Sequence, residues 1–141
     1  MSQLHFQPIK GQARTILRAI MNTPEISSCR LKEVLTLRLA CEEIVMNVAS
    51  YAYPEGMEGY LDVNIQKVAS DPDHTGNRIV IRFEDGGVAF NPLEQKKPDT
   101  KQSWKLRPIG GLGIYLVLHK MDDVRYAYVD HKNVLTIEKK I

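Results

Sequence analysis

The sequence lacks the features that mark secreted, membrane-spanning or nucleic-acid-binding proteins. No apolar run approaches the roughly 18 residues that would cross a bilayer. The N-terminal residues Met1–Phe6 have neither the basic start nor the apolar stretch of a secretory signal. No basic run is interleaved with aromatic residues, and the formal net charge is only +2. We therefore expect a cytoplasmic protein that binds neither a membrane nor nucleic acid directly.

Cysteine and histidine are also scarce, and their positions exclude two kinds of site. Cys29 and Cys41 lie on what reads as one helix, about 18 Å apart along its axis at 1.5 Å per residue. That separation is too long for a disulfide within the chain. The 4 histidines share no metal-ligand spacing with each other or with the cysteines. We expect neither a disulfide framework nor a zinc-type centre.

The remaining composition is that of a compact globular protein. Hydrophobic residues make up 43% of the chain and charged residues 26%, both typical values. A length of 141 residues corresponds to one ordinary domain. We therefore predict a single domain over residues 1–141.

Hydrophobic periodicity and turn residues predict an α+β fold. Helical spacing runs over residues 9–21, and again over a long helix that Ser27 or Ser28 would cap and that would reach Tyr53. A short third helix is predicted from Ile114. Strands are predicted over residues 4–7, 60–67, 78–84, 124–129 and 133–137. We expect two layers, with a mixed, largely antiparallel sheet covered on one face by about three helices.

The long helix carries two polar residues at the margin of its apolar stripe. Glu43 and Asn47 are four residues apart, so both lie on one face, one turn from each other. Tyr51 follows one turn later and could line the same pocket. The pair could point into a cleft, or it could be a solvated pair on the helix rim.

Two glycine-containing segments are further candidates. Asp85 ends a predicted strand and is followed by Gly86-Gly87, which could leave room for a flat ring beside a carboxylate, or could form a simple turn. The sequence Gly110-Gly111-Leu112-Gly113 directly precedes an apolar helix. Helix N-termini attract anions, although a lid hinge would use the same glycines.

Together these motifs resemble the N, G1 and G2 boxes of the GHKL ATPase superfamily, whose nucleotide-binding architecture is called the Bergerat fold. The fuller strings around them are similar to those of bacterial anti-sigma factor serine/threonine kinases. These strings are Glu43–Val48 with Tyr51–Tyr53, Asp85–Pro92, and Gly110–Val117. The similarity extends from about residue 30 over most of the chain.

The resemblance implies a role for each candidate residue. Asn47 would bind the Mg²⁺ that bridges the ATP phosphates, and Glu43 would be the general base. Asp85 would accept a hydrogen bond from the adenine amino group, and Gly87 would let the base lie close. The phosphates would be held by Gly111, Leu112 and Gly113 and, as the nearest basic residue of an ATP lid over residues 91–110, by Arg107.

The resemblance also implies partners. Such kinases pair as homodimers, hold a sigma factor inactive and phosphorylate a serine on a STAS-domain anti-anti-sigma protein. Three alternatives stay open at this point: a non-catalytic ATP-dependent switch, the catalytic domain of a sensor histidine kinase, and an interaction domain without a ligand. The absence of a preceding phosphoacceptor helix pair disfavours the histidine kinase.

Overall fold

The computed structural model describes residues 1–69, 76–94, 114 and 118–141. Within these residues the strands are β1 (Ser2–Phe6), β2 (Leu61–Ala69), β3 (Asn77–Asp85), β4 (Asp123–Val129) and β5 (Lys132–Lys140). The helices are α1 (Ala13–Met21), α2 (Pro24–Ser27) and α3 (Leu31–Asn47), and α3 continues into a π-helical turn over Val48–Ala52.

The strands form one sheet in the order β1-β2-β3-β5-β4, and each described pair is antiparallel. Strands β2 and β3, which follow each other in the chain, pair antiparallel, and so do β4 and β5. Side chains alternate along β3, so that Ile79, Ile81 and Phe83 are buried while Arg82 is exposed. This period of two means that one face of the sheet packs on the core.

The helices cover that buried face. Helix α1 buries Ile16 and Ile20 and lies against α3. The buried residues of α3 recur at helical spacing and form its inner face. They are Leu37, Ala40, Cys41, Ile44 and Val45. These side chains join the buried strand residues in one hydrophobic cluster. The predicted α+β class is therefore confirmed.

The structure differs from the sequence prediction at the start of the long helix. Ser27 and Ser28 do not cap α3, because Pro24 begins a separate short helix, α2, that ends at Ser27. Proline favours the first helical position, where its missing N–H costs nothing. The N-cap residue of α3 is Arg30. Its backbone is extended, and its side chain makes no capping hydrogen bond. The described helices include none that is long and apolar enough to span a membrane.

Candidate functional site

The C-terminal end of α3 changes its winding where the candidate residues lie. Regular α-helix ends at Asn47 and a π-helical turn follows over Val48–Ala52. π-Helical turns are rare and frequently occur at functional sites. Asn47 and Tyr51 both line a cavity beside this turn. Of the two possibilities that the sequence left open for this rim, a cleft or a solvated pair, the structure has a cavity beside Asn47.

The cavity has a volume of about 340 Å³, within the size range of small-molecule sites. It lies between the end of α3, the strands β3, β4 and β5, and the segment after β3. Its polar side chains include Asn47, Asp85 and Asn133. The apolar lining comes from Ile44, Val48, Ala52, Phe83, Val88, Phe90, Pro92, Ile114 and Leu135. An apolar cavity with few polar groups is the usual form of a cofactor or nucleotide-base site.

Asp85 is a buried carboxylate at the end of β3, only 6% exposed. Its Oδ1 accepts hydrogen bonds from the Gly87 backbone N–H at 2.9 Å and from Asn133 Nδ2 at 3.0 Å. Burial raises the pKa of Asp85 above its ordinary value, and these two hydrogen bonds oppose that rise. No donor among the described residues reaches its Oδ2. The second oxygen can therefore accept a hydrogen bond from a ligand.

Asn133 holds Asp85 in place, and sequence analysis missed it. The register of β3 and β5 places Asn133 opposite Asp85. Its Nδ2 donates to Asp85 and, at 2.9 Å, to the carbonyl of Val88, while its Oδ1 accepts from the Phe90 N–H at 3.0 Å and from the Tyr126 hydroxyl. A signal existed, because Asn133 shares the inward-facing alternation of Leu135 and Ile137, where an amide is unusual.

Gly87 is required by the packing of two backbone segments. A Cβ at Gly87 would lie 2.2 Å from the carbonyl oxygen of Ala52. Next to it, the Val88 N–H donates to that same carbonyl at 2.7 Å. Only glycine fits such an approach, so Gly87 lets the end of β3 dock on the π-helical turn. This contact gives Gly87 a structural reason that the sequence did not reveal.

Tyr53 makes a second connection between the same segments. It is 7% exposed, and its hydroxyl donates to the carbonyl of Tyr60 at 2.7 Å while accepting from the Gly86 N–H at 2.8 Å. A Cβ at Gly59 would lie 2.2 Å from the Tyr53 ring. The Asp85-Gly86-Gly87 turn is therefore fixed from two sides, by Ala52 and by Tyr53.

Glu43 and Asn47 are both half-buried, one turn apart on α3. Asn47 lines the cavity, whereas Glu43 is not among its lining residues. Burial, and next the charge of Glu42, raise the pKa of Glu43 above its ordinary value. Neither side chain has a hydrogen-bond partner among the described residues. The Asn47 amide oxygen is a ligand type that Mg²⁺ prefers, and it is free to bind one.

The other predicted phosphate contacts cannot be placed. Arg107, Gly111, Leu112 and Gly113 lie outside the described residues, as does most of the predicted lid. The structure therefore brings together Asn47, Tyr51 and Asp85 around one cavity, with Glu43 one turn away and Gly87 in the adjoining turn.

Two comparisons with known proteins bear on the family of this chain. Residues 6–139 match a protein-family model described as a histidine kinase-like ATPase domain. Over 104 residues the chain is 25% identical to the serine-protein kinase RsbW of Listeria monocytogenes, an alignment that covers 70% of this chain. The chain spans 61% of that relative's length.

Proposed function

Because this chain belongs to the family of histidine kinase-like ATPase domains, we propose that it is an ATP-dependent serine/threonine protein kinase of the anti-sigma type. Its substrate would be a serine or threonine hydroxyl of a STAS-domain anti-anti-sigma protein. One observation carries the proposal. Asn47 and Asp85, from different elements, line one cavity, and a carboxylate of raised pKa, Glu43, lies one helical turn from Asn47.

The cavity fits the adenine ring of ATP. Its lining is mainly apolar, which suits a flat heteroaromatic ring, and Asp85 Oδ2 is free to accept from the exocyclic amino group. Asn133 fixes the orientation of the Asp85 carboxylate through a hydrogen bond to Oδ1. Guanine carries a carbonyl oxygen at the position where adenine has this amino group, so it would leave the buried acceptor unpaired, and the site favours adenine over guanine.

Asn47 would hold the Mg²⁺ that accompanies ATP. It offers one amide oxygen, and Mg²⁺ commonly binds through one or two protein ligands together with phosphates and water. The bound ion would neutralise charge on the phosphates. The described residues supply no cluster of three acidic, histidine or cysteine side chains that would hold a metal without the nucleotide.

Glu43 would serve as the general base. It would accept the proton of the protein hydroxyl while the hydroxyl oxygen forms a bond to the γ-phosphorus and the bond from that phosphorus to the β,γ-bridging oxygen breaks, releasing ADP. A raised pKa strengthens Glu43 as a base. It also means that Glu43 takes up a proton at a higher pH than an ordinary glutamate. The transfer rate should therefore fall as pH is lowered through this raised value.

The test is phosphate transfer from Mg-ATP to purified STAS-domain proteins of the same organism. Glu43→Gln should lower the transfer rate at least about 100-fold, the low end of general-base contributions, and leave ATP affinity within about twofold. Glu42→Gln is the matched control, because Glu42 is the adjacent acid about 100° around the helix; it should keep most of the transfer rate, with the pKa of Glu43 lowered by the loss of the neighbouring charge. Normal transfer by Glu43→Gln would contradict its role as base.

A non-catalytic ATP-dependent switch is the second candidate, and one observation favours it. Glu43 is not among the residues that line the cavity, whereas Asn47 and Asp85 are. A switch requires only ATP binding that changes affinity for a protein partner. Nucleotide-dependent binding of the STAS protein without any phosphate transfer would favour the switch over the kinase.

The proposal includes an oligomeric state and a second protein partner. A cytoplasmic homodimer would bind a sigma factor and hold it inactive. Sedimentation of the chain with and without Mg-ATP would measure the dimer. Co-purification with each sigma factor of the organism would identify that partner, and a monomer that binds no sigma factor would contradict this part of the proposal.

A further inference from the structure

Helix α3 carries a second apolar row on the side away from its core-facing residues. Leu31, Leu35 and Leu39 are 73%, 52% and 47% exposed. They recur every four residues, which places them along one ridge of the helix. None of the three is among the buried or partly buried residues of the hydrophobic core in the part of the chain that the structure describes. Three large exposed leucines in register on one helix indicate an interaction surface rather than scattered exposure.

The same ridge leads to the proposed base. Glu43 follows Leu39 by four residues and Asn47 follows Glu43 by four, so the leucine row and the site residues belong to one i, i+4 series. At 1.5 Å per residue, Leu39 is about 6 Å and Leu31 about 18 Å from Glu43 along the axis. A protein segment lying on the leucines would therefore reach Glu43 at its end.

The charges beside the ridge indicate what kind of segment would bind. Arg30, Lys32 and Arg38 are exposed, and no ion pair involves them among the described residues. The acid among residues 30–39, Glu33, is half-buried with a buried Oε2, and the next acid, Glu42, lies three residues beyond Leu39, at the end of the row nearest Glu43. An apolar ridge flanked by cations is complementary to a segment that combines apolar and acidic side chains.

We propose that Leu31, Leu35 and Leu39, together with Arg30, Lys32 and Arg38, form the docking surface for the protein substrate. The substrate places an apolar, acidic segment along this surface, termed the leucine ridge, and presents its hydroxyl to Glu43. This inference rests on the proposed kinase function. It adds where on the chain the protein substrate binds and which chemistry selects it.

A protein partner fits the leucine ridge better than a lipid surface or a nucleic acid. The ridge is a single row of three leucines about 12 Å long, which suits packing into the groove of another helix. Helices that bind membrane surfaces present a broad apolar face, commonly with aromatic residues. Nucleic acids are bound mainly through phosphate contacts and base edges, for which aliphatic leucines offer little.

The test compares steady-state phosphorylation of the STAS-domain protein by two ridge variants and one control. Leu35→Glu and Arg38→Glu place negative charge on the ridge without touching the cavity. Each should raise KM for the STAS protein at least about tenfold, equivalent to ~1.4 kcal/mol, with kcat and ATP affinity within about twofold. Val129→Glu adds the same charge at a 53% exposed apolar residue of β4 and should leave KM unchanged.

The outcomes separate this inference from the function on which it rests. If the wild-type chain transfers phosphate and both ridge variants keep its KM, the docking surface is wrong and the kinase proposal stands. If the wild-type chain transfers none to any STAS protein, both proposals fail. If the ridge variants instead lose binding to anionic vesicles or DNA while KM is unchanged, the leucine ridge binds another partner and the inference is overturned.

Discussion

Single side chains join the ends of secondary-structure elements around the candidate site. The Tyr53 hydroxyl bridges the carbonyl of Tyr60 and the N–H of Gly86, so one atom satisfies two backbone groups that lie 26 residues apart in the chain. Gly87 acts in the opposite way, by having no side chain where the carbonyl of Ala52 must pass. Both residues hold the turn that follows Asp85.

We predict that Tyr53→Phe destabilises the protein by about 1–3 kcal/mol, because it removes the hydrogen-bond partner of two backbone groups. Urea denaturation followed by circular dichroism measures the free energy of unfolding. Tyr128→Phe is the matched control, since Tyr128 is 41% exposed and its loss should cost less than about 0.5 kcal/mol. Equal effects of the two variants would show that the Tyr53 bridge contributes nothing.

At the scale of the element, α3 performs three tasks with three sets of residues. Its inner face packs on the sheet, its outer ridge carries exposed leucines, and its end supplies Glu43 and Asn47. The sequence analysis followed a single apolar stripe along this helix. Because α3 carries apolar residues on two faces, that analysis overlooked the leucine ridge. The packing of the inner face fixes where the other two sets point.

The inner face of α3 yields a prediction for thiol chemistry. Cys41 is fully buried, and burial raises the pKa of its thiol to about 12. Because the thiolate is the reactive form, Cys41 should resist alkylation at pH 8 and react only when α3 opens. Cys29, which is half-buried, should react faster. Iodoacetamide labelling followed by peptide mass spectrometry measures both rates, and equal rates would contradict the burial of Cys41.

At the scale of the whole molecule, the candidate cavity belongs to no single element. Its polar groups come from α3, from the end of β3 and from β5, elements that are far apart in sequence. Asn133 connects β5 to the end of β3 and to the segment that follows it, because its amide bonds Asp85, the Val88 carbonyl and the Phe90 N–H. Ligand binding should therefore stabilise the assembled fold.

We predict that Mg-ATP raises the melting temperature of the wild-type chain, because a ligand that binds only the folded state stabilises it. At an ATP concentration of 100 times Kd this stabilisation is about 2.7 kcal/mol. Asn133→Asp should lose most of this shift, because a second carboxylate would lie where Nδ2 now donates to Asp85 at 3.0 Å. Asn64→Asp, a half-buried position on β2, is the control and should keep the shift. If Mg-ATP raised the melting temperature of Asn133→Asp as much as that of the wild-type chain, the role of Asn133 in adenine binding would be contradicted.

The sequence predicted the fold class and the positions of the candidate residues on their elements because both depend on local patterns. Alternation marked β2 and β3, helical spacing marked α1 and α3, and Asp85 was placed correctly at the end of a strand. The predicted start of α3 was wrong. Ser27 and Ser28, which we expected to cap it, belong to the end of a short helix that begins at Pro24. The roles of Glu43 and Asn47 remain predictions.

What the sequence determined by itself is the series Glu43, Asn47 and Tyr51, since four-residue spacing fixes a helix face without any knowledge of the rest of the fold. Only the tertiary structure decided that Asn133 faces Asp85, that Gly87 must clear Ala52 and that three leucines of α3 stay exposed. Each of these depends on strand register or helix packing. Such long-range contacts are set by the burial of the whole core, because a local pattern can show that Asn133 faces inward but not which residue it meets.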